Sequence, residues 1–280
     1  MKIKDILKQG IEILKENNIE NCSLKARQLL AKIINKSKEY IMIHDEDELN
    51  EQEKNEFWNK IERLKNNEPI QYILNSQEFM GFEFYVDSNV LIPQPDTEIL
   101  VEEVIEIFRK NNKKMRILDL CTGSGAIGIA LSKILKNTEV LASDISDKAL
   151  EIAKKNAQKN CTKIDFIKSD LFEQFIDDDK FDIIVSNPPY IKTEVIKDLS
   201  KEVKYEPMIA LDGGKNGLVF YKKIIEQASQ YLNSQGYIAL EIGYDQKDEV
   251  MQLLRNENYI NIYSKKDLGG NDRVVVAQIP

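Results

Sequence analysis

Residues 186–190, with the sequence SNPPY, end an apolar run and combine residue types that can bind a planar amino group. Each proline lacks an N–H and pushes the residue before it into an extended conformation, so Pro188 and Pro189 hold the turn stiffly. The Asn187 side-chain oxygen and the Pro188 carbonyl then offer two hydrogen-bond acceptors at a fixed spacing. Tyr190 offers a flat face beside them. We expect this turn to bind an –NH2 group attached to an sp² carbon.

The nitrogen of such a group is a poor nucleophile because its lone pair is delocalised. Acceptors that hold both of its N–H bonds aim it at an electrophile and favour the positive charge that builds on it. Holding two reactants in line can supply on the order of 7 kcal/mol of a reaction barrier. No strong base is needed, because the product cation loses a proton readily; His44 is the only histidine. The turn therefore predicts group transfer to nitrogen, and the alternative is a loop that merely ends a strand.

The segment RILDLCTGSGAIGIAL (116–131) is typical of a strand, a turn and the start of a helix. Gly123 and Gly125 allow positive φ and a close approach of a ligand, and Gly128 lets the helix lie near the sheet. Asp144 ends the next predicted strand, where a carboxylate can accept both hydroxyls of a ribose. The pair of motifs predicts a nucleoside site; a glycine turn without a ligand is the alternative for the loop alone.

Two further carboxylates bear on which nucleoside is bound. Asp119 lies just before the glycine loop, where it would meet the cationic amino group of a methionine moiety but would repel a pyrophosphate. This favours S-adenosylmethionine over NAD. In KSDLFE, Asp170 is expected to accept from the adenine amino group while Leu171 or Phe172 packs on the ring. The alternative for Asp170 is an ordinary turn residue at the end of a strand.

From about residue 95 the sequence alternates between helical and strand patterns, which is typical of a mostly parallel sheet covered on both faces. Ligands bind such sheets beyond the carboxyl ends of the strands, and both Asp144 and Asn187 fall there. We predict an α/β fold with a seven-stranded, doubly wound sheet that ends with an antiparallel strand. The predicted strands are 115–120, 138–143, 163–168, 181–186, 236–242, 259–264 and 273–279. The predicted helices are 96–111, 125–136, 147–160, 216–233 and 246–256.

The first part of the chain has a different pattern. Residues 1–68 show helical spacing of apolar residues and predict a small bundle, with Asn21 or Ser23 capping its second helix and Asn50 its fourth. This bundle is either a structural cap or a substrate-docking module. Residues 69–92 predict a β-hairpin linker, and residues 93–280 form the domain that carries the motifs.

Composition excludes several classes of function. The chain has 280 residues and a net charge of −8, and both its first 85 residues and the remainder are acidic, so we expect no direct nucleic-acid binding. No apolar run approaches the roughly 20 residues of a membrane span. The three cysteines lack metal spacing and fit a reducing cytoplasm. We expect a cytoplasmic monomer without a metal ion.

Four segments, DLCTGSGAIGIAL, ASDIS, KSDLF and VSNPPYI, together resemble a Rossmann-type, S-adenosylmethionine-dependent methyltransferase of class I. LIPQPDTEILVE, YEPMIALDGGKNGLVFYKKI, YIALEIG and GGNDRVV are similar specifically to the HemK/PrmC family. Members of that family methylate the side-chain amide nitrogen of the glutamine in the Gly-Gly-Gln motif of peptide chain release factors 1 and 2. The resemblance implies the same activity here, with S-adenosyl-L-methionine as cofactor and S-adenosyl-L-homocysteine as product.

The resemblance also implies roles for individual residues. Asn187 and Pro188 would hold the glutamine amide, with Pro189 and Tyr190 completing its pocket. The residues implied to line the cofactor site are Thr122, Gly123, Ser124, Gly125, Asp144, Leu171 and Asn187. The sequence departs from the family pattern at three positions: Gln94 replaces the arginine of Ile-Pro-Arg-Pro, Cys121 stands where many members have glycine, and Leu171 where many have tryptophan.

Two other functions fit part of this pattern. A DNA or rRNA amino-group methyltransferase would use the same Asn-Pro-Pro-Tyr turn, but the acidic charge of the chain opposes it. A non-catalytic module that binds S-adenosylmethionine would have no need of an intact acceptor turn. Release factor methylation is therefore the favoured function.

Overall fold

The computed structural model describes residues 1–109 and 113–280 of the chain. These residues form two compact units. Residues 1–76 and 200–205 make up the first, and residues 77–199 and 206–280 the second. The sequence predicts a boundary at residue 68 and a linker over 69–92; the structure has a helix at Ile70–Leu74 in the first unit and the hairpin in the second.

The first unit is a helical bundle. Its helices are α1 (Ile3–Glu16), α2 (Cys22–Ile33), α3 (Lys38–Ile43), α4 (Glu51–Lys65) and α5 (Ile70–Leu74). Its core is built on fully buried residues such as Ile6, Leu30 and Phe57. The predicted Asn50 cap is confirmed, because its side chain accepts from the Glu53 N–H at 2.9 Å in a capping box. Asn21 precedes α2 in a left-handed conformation and makes no side-chain cap, and Ser23 lies inside the helix, so both predicted caps of α2 were wrong.

The segment 200–205 packs within this first unit. Lys25 forms an ion pair with Glu202, and the Tyr205 hydroxyl donates to the Asn66 carbonyl at 2.9 Å. A short stretch that follows the Asn-Pro-Pro-Tyr turn in the chain is therefore part of the helical unit.

The second unit begins with the predicted hairpin, formed by β1 (Gln77–Phe79) and β2 (Phe82–Phe84). Met80 and Gly81 in the turn have φ of 51° and 75°. Positive φ at both central residues gives the turn a twist that matches paired strands. Phe79 and Phe84 are buried and meet edge to face, which anchors the hairpin in the core.

Helices and strands then alternate as predicted. The strands are β3 (Met115–Leu120), β4 (Thr138–Asp144), β5 (Asp165–Lys168), β6 (Phe181–Ser186), β7 (Leu232–Glu241), β8 (Ile260–Lys266) and β9 (Asp272–Gln278). The helices are α6 (Pro95–Phe108), α7 (Ala126–Ile134), α8 (Asp147–Lys159), α9 (Thr193–Ile196), α10 (Met208–Leu211), α11 (Val219–Ala228) and α12 (Lys247–Asn256). The end of the predicted helix 96–111 falls outside the described residues.

The seven strands β3–β9 form one sheet in the order β5-β4-β3-β6-β7-β9-β8. β3 to β7 run parallel, and β9 is antiparallel to both of its neighbours. The α/β fold with a seven-stranded, mostly parallel sheet is thus confirmed. The antiparallel strand is not at the edge as expected, because β9 inserts between β7 and β8. Apolar clusters cover both faces of this sheet.

In the described ranges 1–109 and 113–280, none of the helices combines the length and the apolar character needed to cross a bilayer.

Candidate active site

A cavity of about 1230 Å³, including its open mouth, lies in the second unit beyond the carboxyl ends of β3, β4, β5 and β6. Its walls combine apolar side chains with a few polar groups that converge on it, which is typical of a small-molecule site. The sequence-predicted residues that line it are Thr122, Gly123, Ser124, Asp144, Asp170, Leu171, Asn187 and Pro189. The structure therefore brings residues from four strand ends together at one site. Asp119, Gly125, Pro188 and Tyr190 are not part of the lining.

The glycine loop that joins β3 to α7 is fixed by hydrogen bonds from its backbone N–H groups to residues of β4. The Thr122 N–H donates to the Ser143 carbonyl at 2.9 Å, and the Gly123 N–H donates to Asp144 Oδ2 at 2.8 Å. Gly125 has a φ of 82° and begins α7. A Cβ at Gly123 would meet no atom within 4 Å, so the backbone there borders open space. A ligand can approach this stretch of backbone closely.

Asp144 is the carboxylate that faces the cavity from the end of β4. Its Oδ2 accepts from Gly123, and its Oδ1 accepts from the Ser146 N–H at 2.9 Å. Burial raises its pKa, and backbone hydrogen bonds from Ser146, Gly123 and Ile145 oppose that rise. A carboxylate offers about four lone-pair positions, so it can still accept from a ligand hydroxyl. The side chain is therefore held in place for the ribose contact that the sequence suggests.

Asp119 does not take the expected position beside a ligand. It is fully buried beneath the glycine loop, where its Oδ2 accepts from the Thr122 hydroxyl at 2.5 Å and the Gly128 N–H at 2.9 Å. Burial raises its pKa to about 7, and these two bonds oppose the rise. The Thr122 hydroxyl and the start of α7 thus hold the carboxylate in the interior, where it supports the loop.

Gly128 makes this arrangement possible. A Cβ there would lie 2.9 Å from Asp119 Oδ2 and 3.2 Å from Val140 Cγ1, so α7 lies against the sheet as predicted. We expect Gly128→Ala to lower the free energy of unfolding by about 1–3 kcal/mol through overpacking. Chemical denaturation measures this change. As a control, Gly269→Ala meets only the side chains of Asn271 and Asp267, and we expect a change below about 0.5 kcal/mol. Equal effects at both glycines would contradict the packing argument.

Two residues that depart from the family pattern have strained backbones at the cavity wall. Cys121 has a φ of 61° and Leu171 a φ of 47°. Left-handed backbone costs a residue with a Cβ about 1–2 kcal/mol, which explains why glycine suits position 121. Backbone strain of this kind concentrates at functional sites. The third departure, Gln94, is exposed, does not line the cavity, and donates to the Ile92 carbonyl at 3.0 Å.

The acceptor turn follows β6, as predicted. Asn187 Nδ2 donates to Thr97 Oγ1 at 3.3 Å. Within the described part of the chain, no donor reaches Asn187 Oδ1 or the Pro188 carbonyl. Neither acceptor is occupied within the described residues; Asn187 lines the cavity, whereas Pro188 is buried as a whole residue and does not line it.

Tyr190 is half-buried at the end of this turn. Its hydroxyl donates to Glu241 Oε1 at 3.4 Å, and its carbonyl accepts from Gln246 Nε2 at 3.0 Å. A Cβ on Gly213 would lie 2.6 Å from the Tyr190 Cα, and one on Gly217 would lie 2.4 Å from its carbonyl oxygen. Only glycine fits at these two positions, so the segment DGGKNG closes over the backbone of the turn. Burial and the nearby Glu241 raise the pKa of the Tyr190 phenol, which keeps it protonated.

Several cavity residues were missed by the sequence analysis. Leu91, Pro93 and Thr97, from the LIPQPDT segment, form one part of the wall. Glu206 accepts from the Ile92 N–H at 2.9 Å and fixes that segment. The other lining residues without a predicted role include Ile209, Ala210, Phe220 and Lys223. All fall within the segments quoted for the family resemblance, but their chain positions alone did not show that they meet at one cavity.

The strand order, with the glycine loop at a cavity beyond the strand ends, is that of a Rossmann-type methyltransferase. Residues 95–206 match the methyltransferase small domain. A solved methyltransferase from Pyrococcus furiosus has the same fold, with 20% identity and a TM-score of 0.54 over 79% of this chain and 98% of that chain.

Residues 5–74 match the PrmC N-terminal domain. A release factor glutamine methyltransferase from Clostridium botulinum is 43% identical over 99% of this chain and 99% of its own. One from Clostridium acetobutylicum is 44% identical over 99% and 98% of the two chains. The chain therefore belongs to the PrmC/HemK family of release factor glutamine methyltransferases.

Proposed function

We propose that this protein transfers a methyl group from S-adenosyl-L-methionine to the glutamine side-chain amide in the Gly-Gly-Gln motif of release factors 1 and 2. One observation carries the proposal. Asn187 Oδ1 and the Pro188 carbonyl receive no donor within the described chain, and they stand at the end of β6 beside the cavity that Asp144 and Asp170 line. The two clostridial relatives are named as methyltransferases of a release factor glutamine, which agrees with this class of substrate.

The cavity residues fit S-adenosylmethionine. Asp144 faces the cavity with lone pairs for ribose hydroxyls, Gly123 presents open backbone, and Asp170 and Leu171 offer a polar and an apolar contact for an adenine. When bound, this cofactor supplies a methyl group on a sulfonium, which is an electrophile that needs no further activation. Asp119 would act on it only through the glycine loop.

The acceptor turn performs the orienting step. Asn187 Oδ1 and the Pro188 carbonyl each accept one N–H of the glutamine amide, which directs the nitrogen lone pair into the cavity. Bound S-adenosylmethionine would supply the methyl group and leave as S-adenosylhomocysteine, and the amide nitrogen held by the two acceptors would release one proton to water. Positive charge that builds on the nitrogen strengthens both hydrogen bonds, so these contacts stabilise the transition state more than the ground state. The half-buried ring of Tyr190 closes one side of the amide pocket.

We further infer that the helical unit docks the release factor. Its residues match the PrmC N-terminal domain, and α3 exposes Met42 and Ile43 at 67% and 76%. A patch of exposed apolar side chains can mark a protein-interaction surface, and these two side chains are candidates for its centre. The three free cysteines fit a protein that acts in the cytoplasm.

Labelled S-adenosylmethionine tests the proposal directly. The protein is incubated with intact release factor, with release factor whose Gly-Gly-Gln glutamine is replaced by glutamate, or with ribosomal RNA. We expect label only on the intact release factor, because glutamate has no N–H for the acceptor turn. Label on RNA would support an amino-group methyltransferase of nucleic acid. Cofactor binding without label on any polymer would support a non-catalytic module.

A further inference from the structure

The side-chain amide of Gln246 hydrogen bonds to three separate stretches of backbone, one of which is the acceptor turn. Gln246 directly precedes α12 and is 4% exposed. Its Nε2 donates to the Tyr190 carbonyl at 3.0 Å and to the Gly217 carbonyl at 3.2 Å, and its Oε1 accepts from the Gly243 N–H at 2.9 Å. The end of the acceptor turn, the DGGKNG loop and the loop after β7 therefore meet at one buried side chain.

The chemistry of these three partners requires a primary amide. A backbone carbonyl only accepts and a backbone N–H only donates, so the site needs two donors and one acceptor on neighbouring atoms. The amide of Gln246 supplies this set, because its nitrogen carries two N–H groups and its oxygen accepts. A glutamate would keep the acceptor for Gly243 but, even when protonated, would have a single donor for the carbonyls of Tyr190 and Gly217.

The backbone around this amide leaves no room for a different arrangement. A Cβ on Gly217 would lie 2.5 Å from Gln246 Nε2, and a Cβ on Gly243 would lie 2.7 Å from Gln246 Oε1. In residues 1–109 and 113–280, no donor other than Gln246 reaches the carbonyl of Tyr190 or that of Gly217. Loss of the amide would therefore leave two backbone carbonyls unbonded and release the turn from the DGGKNG loop.

A bond at Tyr190 affects the rest of the acceptor turn because the chain between is stiff. Pro188 and Pro189 have a fixed φ, and each restricts the residue before it to an extended conformation. At its other end the turn continues from β6, which is paired on both sides within the sheet. The sheet thus fixes Asn187 from one side, and Gln246 fixes Tyr190 from the other.

We propose that Gln246 is a positioning residue that holds the acceptor turn in the geometry that binds the glutamine amide. The inference rests on the proposed function, because it assigns to Gln246 a part in the same methyl transfer. Gln246 does not line the cavity, so it acts only through the backbone of the turn. Without its two donated bonds, the Tyr190 end of the turn is free to shift, and the acceptors no longer aim the substrate nitrogen into the cavity.

The first test compares Gln246→Met with Gln246→Glu. Methionine is unbranched and similar in length to glutamine but makes none of the three bonds, whereas glutamate keeps the acceptor for Gly243. We expect both variants to lower kcat by about 10–100-fold, the loss that a small misplacement of a reacting group can cause. The Kd for S-adenosylmethionine should change less than about threefold. Rates are measured at a temperature at which circular dichroism shows each variant to be folded, so that lower stability alone does not reduce kcat.

Tyr259→Phe is the matched control for these variants. Tyr259 is also 4% exposed, and its hydroxyl donates to a backbone carbonyl, that of Ile225, at 3.2 Å, but it does not line the cavity. The substitution removes a buried hydrogen bond of the same kind from the same unit. We expect a lower Tm with the parent kcat, which separates a loss of stability from a loss of positioning.

A second measurement does not depend on activity. Crystal structures of the parent protein and of Gln246→Met show the position of the acceptor turn directly. We expect the Tyr190 carbonyl to move by about 1 Å away from the DGGKNG loop in the variant, and the Asn187 side chain to shift with it.

Three outcomes would overturn the inference: parent kcat in folded Gln246→Met, parent kcat in folded Gln246→Glu, or an acceptor turn that stays in place in the crystal structure of Gln246→Met. Parent kcat in the glutamate variant alone would assign the effect to the Gly243 bond and not to the turn. A parent protein that methylates no release factor would instead contradict the proposed function. In that case the crystal structures still decide whether Gln246 holds the turn.

Discussion

Asn187→Ala is expected to lower kcat for release factor methylation by on the order of 10²–10³-fold, the loss seen when one preorganised hydrogen-bonding group is removed from a transition state. The substitution removes the acceptor at the end of β6 but leaves the glycine loop and Asp144 in place. We therefore expect the Kd for S-adenosylmethionine to change by less than about threefold. Single-turnover methylation measures the first quantity and calorimetry the second.

Asn233→Ala is the matched control for this prediction. Asn233 also donates a side-chain hydrogen bond, to Asp182 at 2.8 Å, but it does not line the cavity. Its loss should reduce stability without changing kcat. Normal turnover by Asn187→Ala would exclude the acceptor role, and a large loss of cofactor affinity would assign Asn187 to the cofactor instead of the amide.

The local sequence pattern was sufficient to predict the bounds of two buried strands of the sheet. β3 and β6 were predicted with the bounds that the structure shows, because each is a short apolar run bounded by turn residues. The helix predicted from residue 216 begins instead at Val219. Residues 213–217 belong to the loop that closes over Tyr190, and that contact joins distant parts of the chain. The short helices α9 and α10 were not predicted for a similar reason, since pairing of Ile191 with Asp212 organises this stretch.

In the candidate site, too, local sequence pattern predicted some residue positions, whereas contacts between distant parts of the chain determine others. Asp144 and Asn187 could be placed from sequence because both end parallel strands, and such ends meet at one edge of a sheet. Asp119 also lies near a strand end, but sequence does not say that the Thr122 hydroxyl and the Gly128 N–H draw its carboxylate inward. Thr97 is 90 positions from Asn187 in the chain, so no local pattern could reveal their hydrogen bond.

Three of the segments that resemble the family share one structural role. Thr97 comes from the Ile-Pro-x-Pro-Asp-Thr segment, Glu241 from YIALEIG, and Arg273 from GGNDRVV. Arg273 forms ion pairs at 3.0 Å with Asp96 and Asp267, and it lies close enough to Glu241 to lower that carboxylate's pKa. These segments contribute few ligand-facing groups. Their shared effect is to build the interior that supports the acceptor turn.

Asp144→Ala is expected to weaken S-adenosylmethionine binding by about 10–100-fold, which corresponds to the roughly 1.5–3 kcal/mol of hydrogen bonds to a charged group. Two effects contribute. The ribose hydroxyls lose their acceptor. The Gly123 N–H also loses its 2.8 Å hydrogen bond to Asp144 Oδ2, which fixes the glycine loop. Calorimetric titration of the parent and the variant gives the change in Kd.

A cofactor analogue without the ribose 2′-hydroxyl separates these two effects. The parent enzyme should bind it more weakly than S-adenosylmethionine, while Asp144→Ala should hardly distinguish the two, because the carboxylate that would read the hydroxyl is gone. Asp147→Ala removes an equal charge from the first turn of α8, where Asp147 only pairs with Lys168 on the surface, and it should bind both ligands as the parent does. If Asp144→Ala still discriminated between the ligands as strongly as the parent, the hydroxyl would be bound elsewhere, and Asp144 would serve the cofactor only by holding the loop.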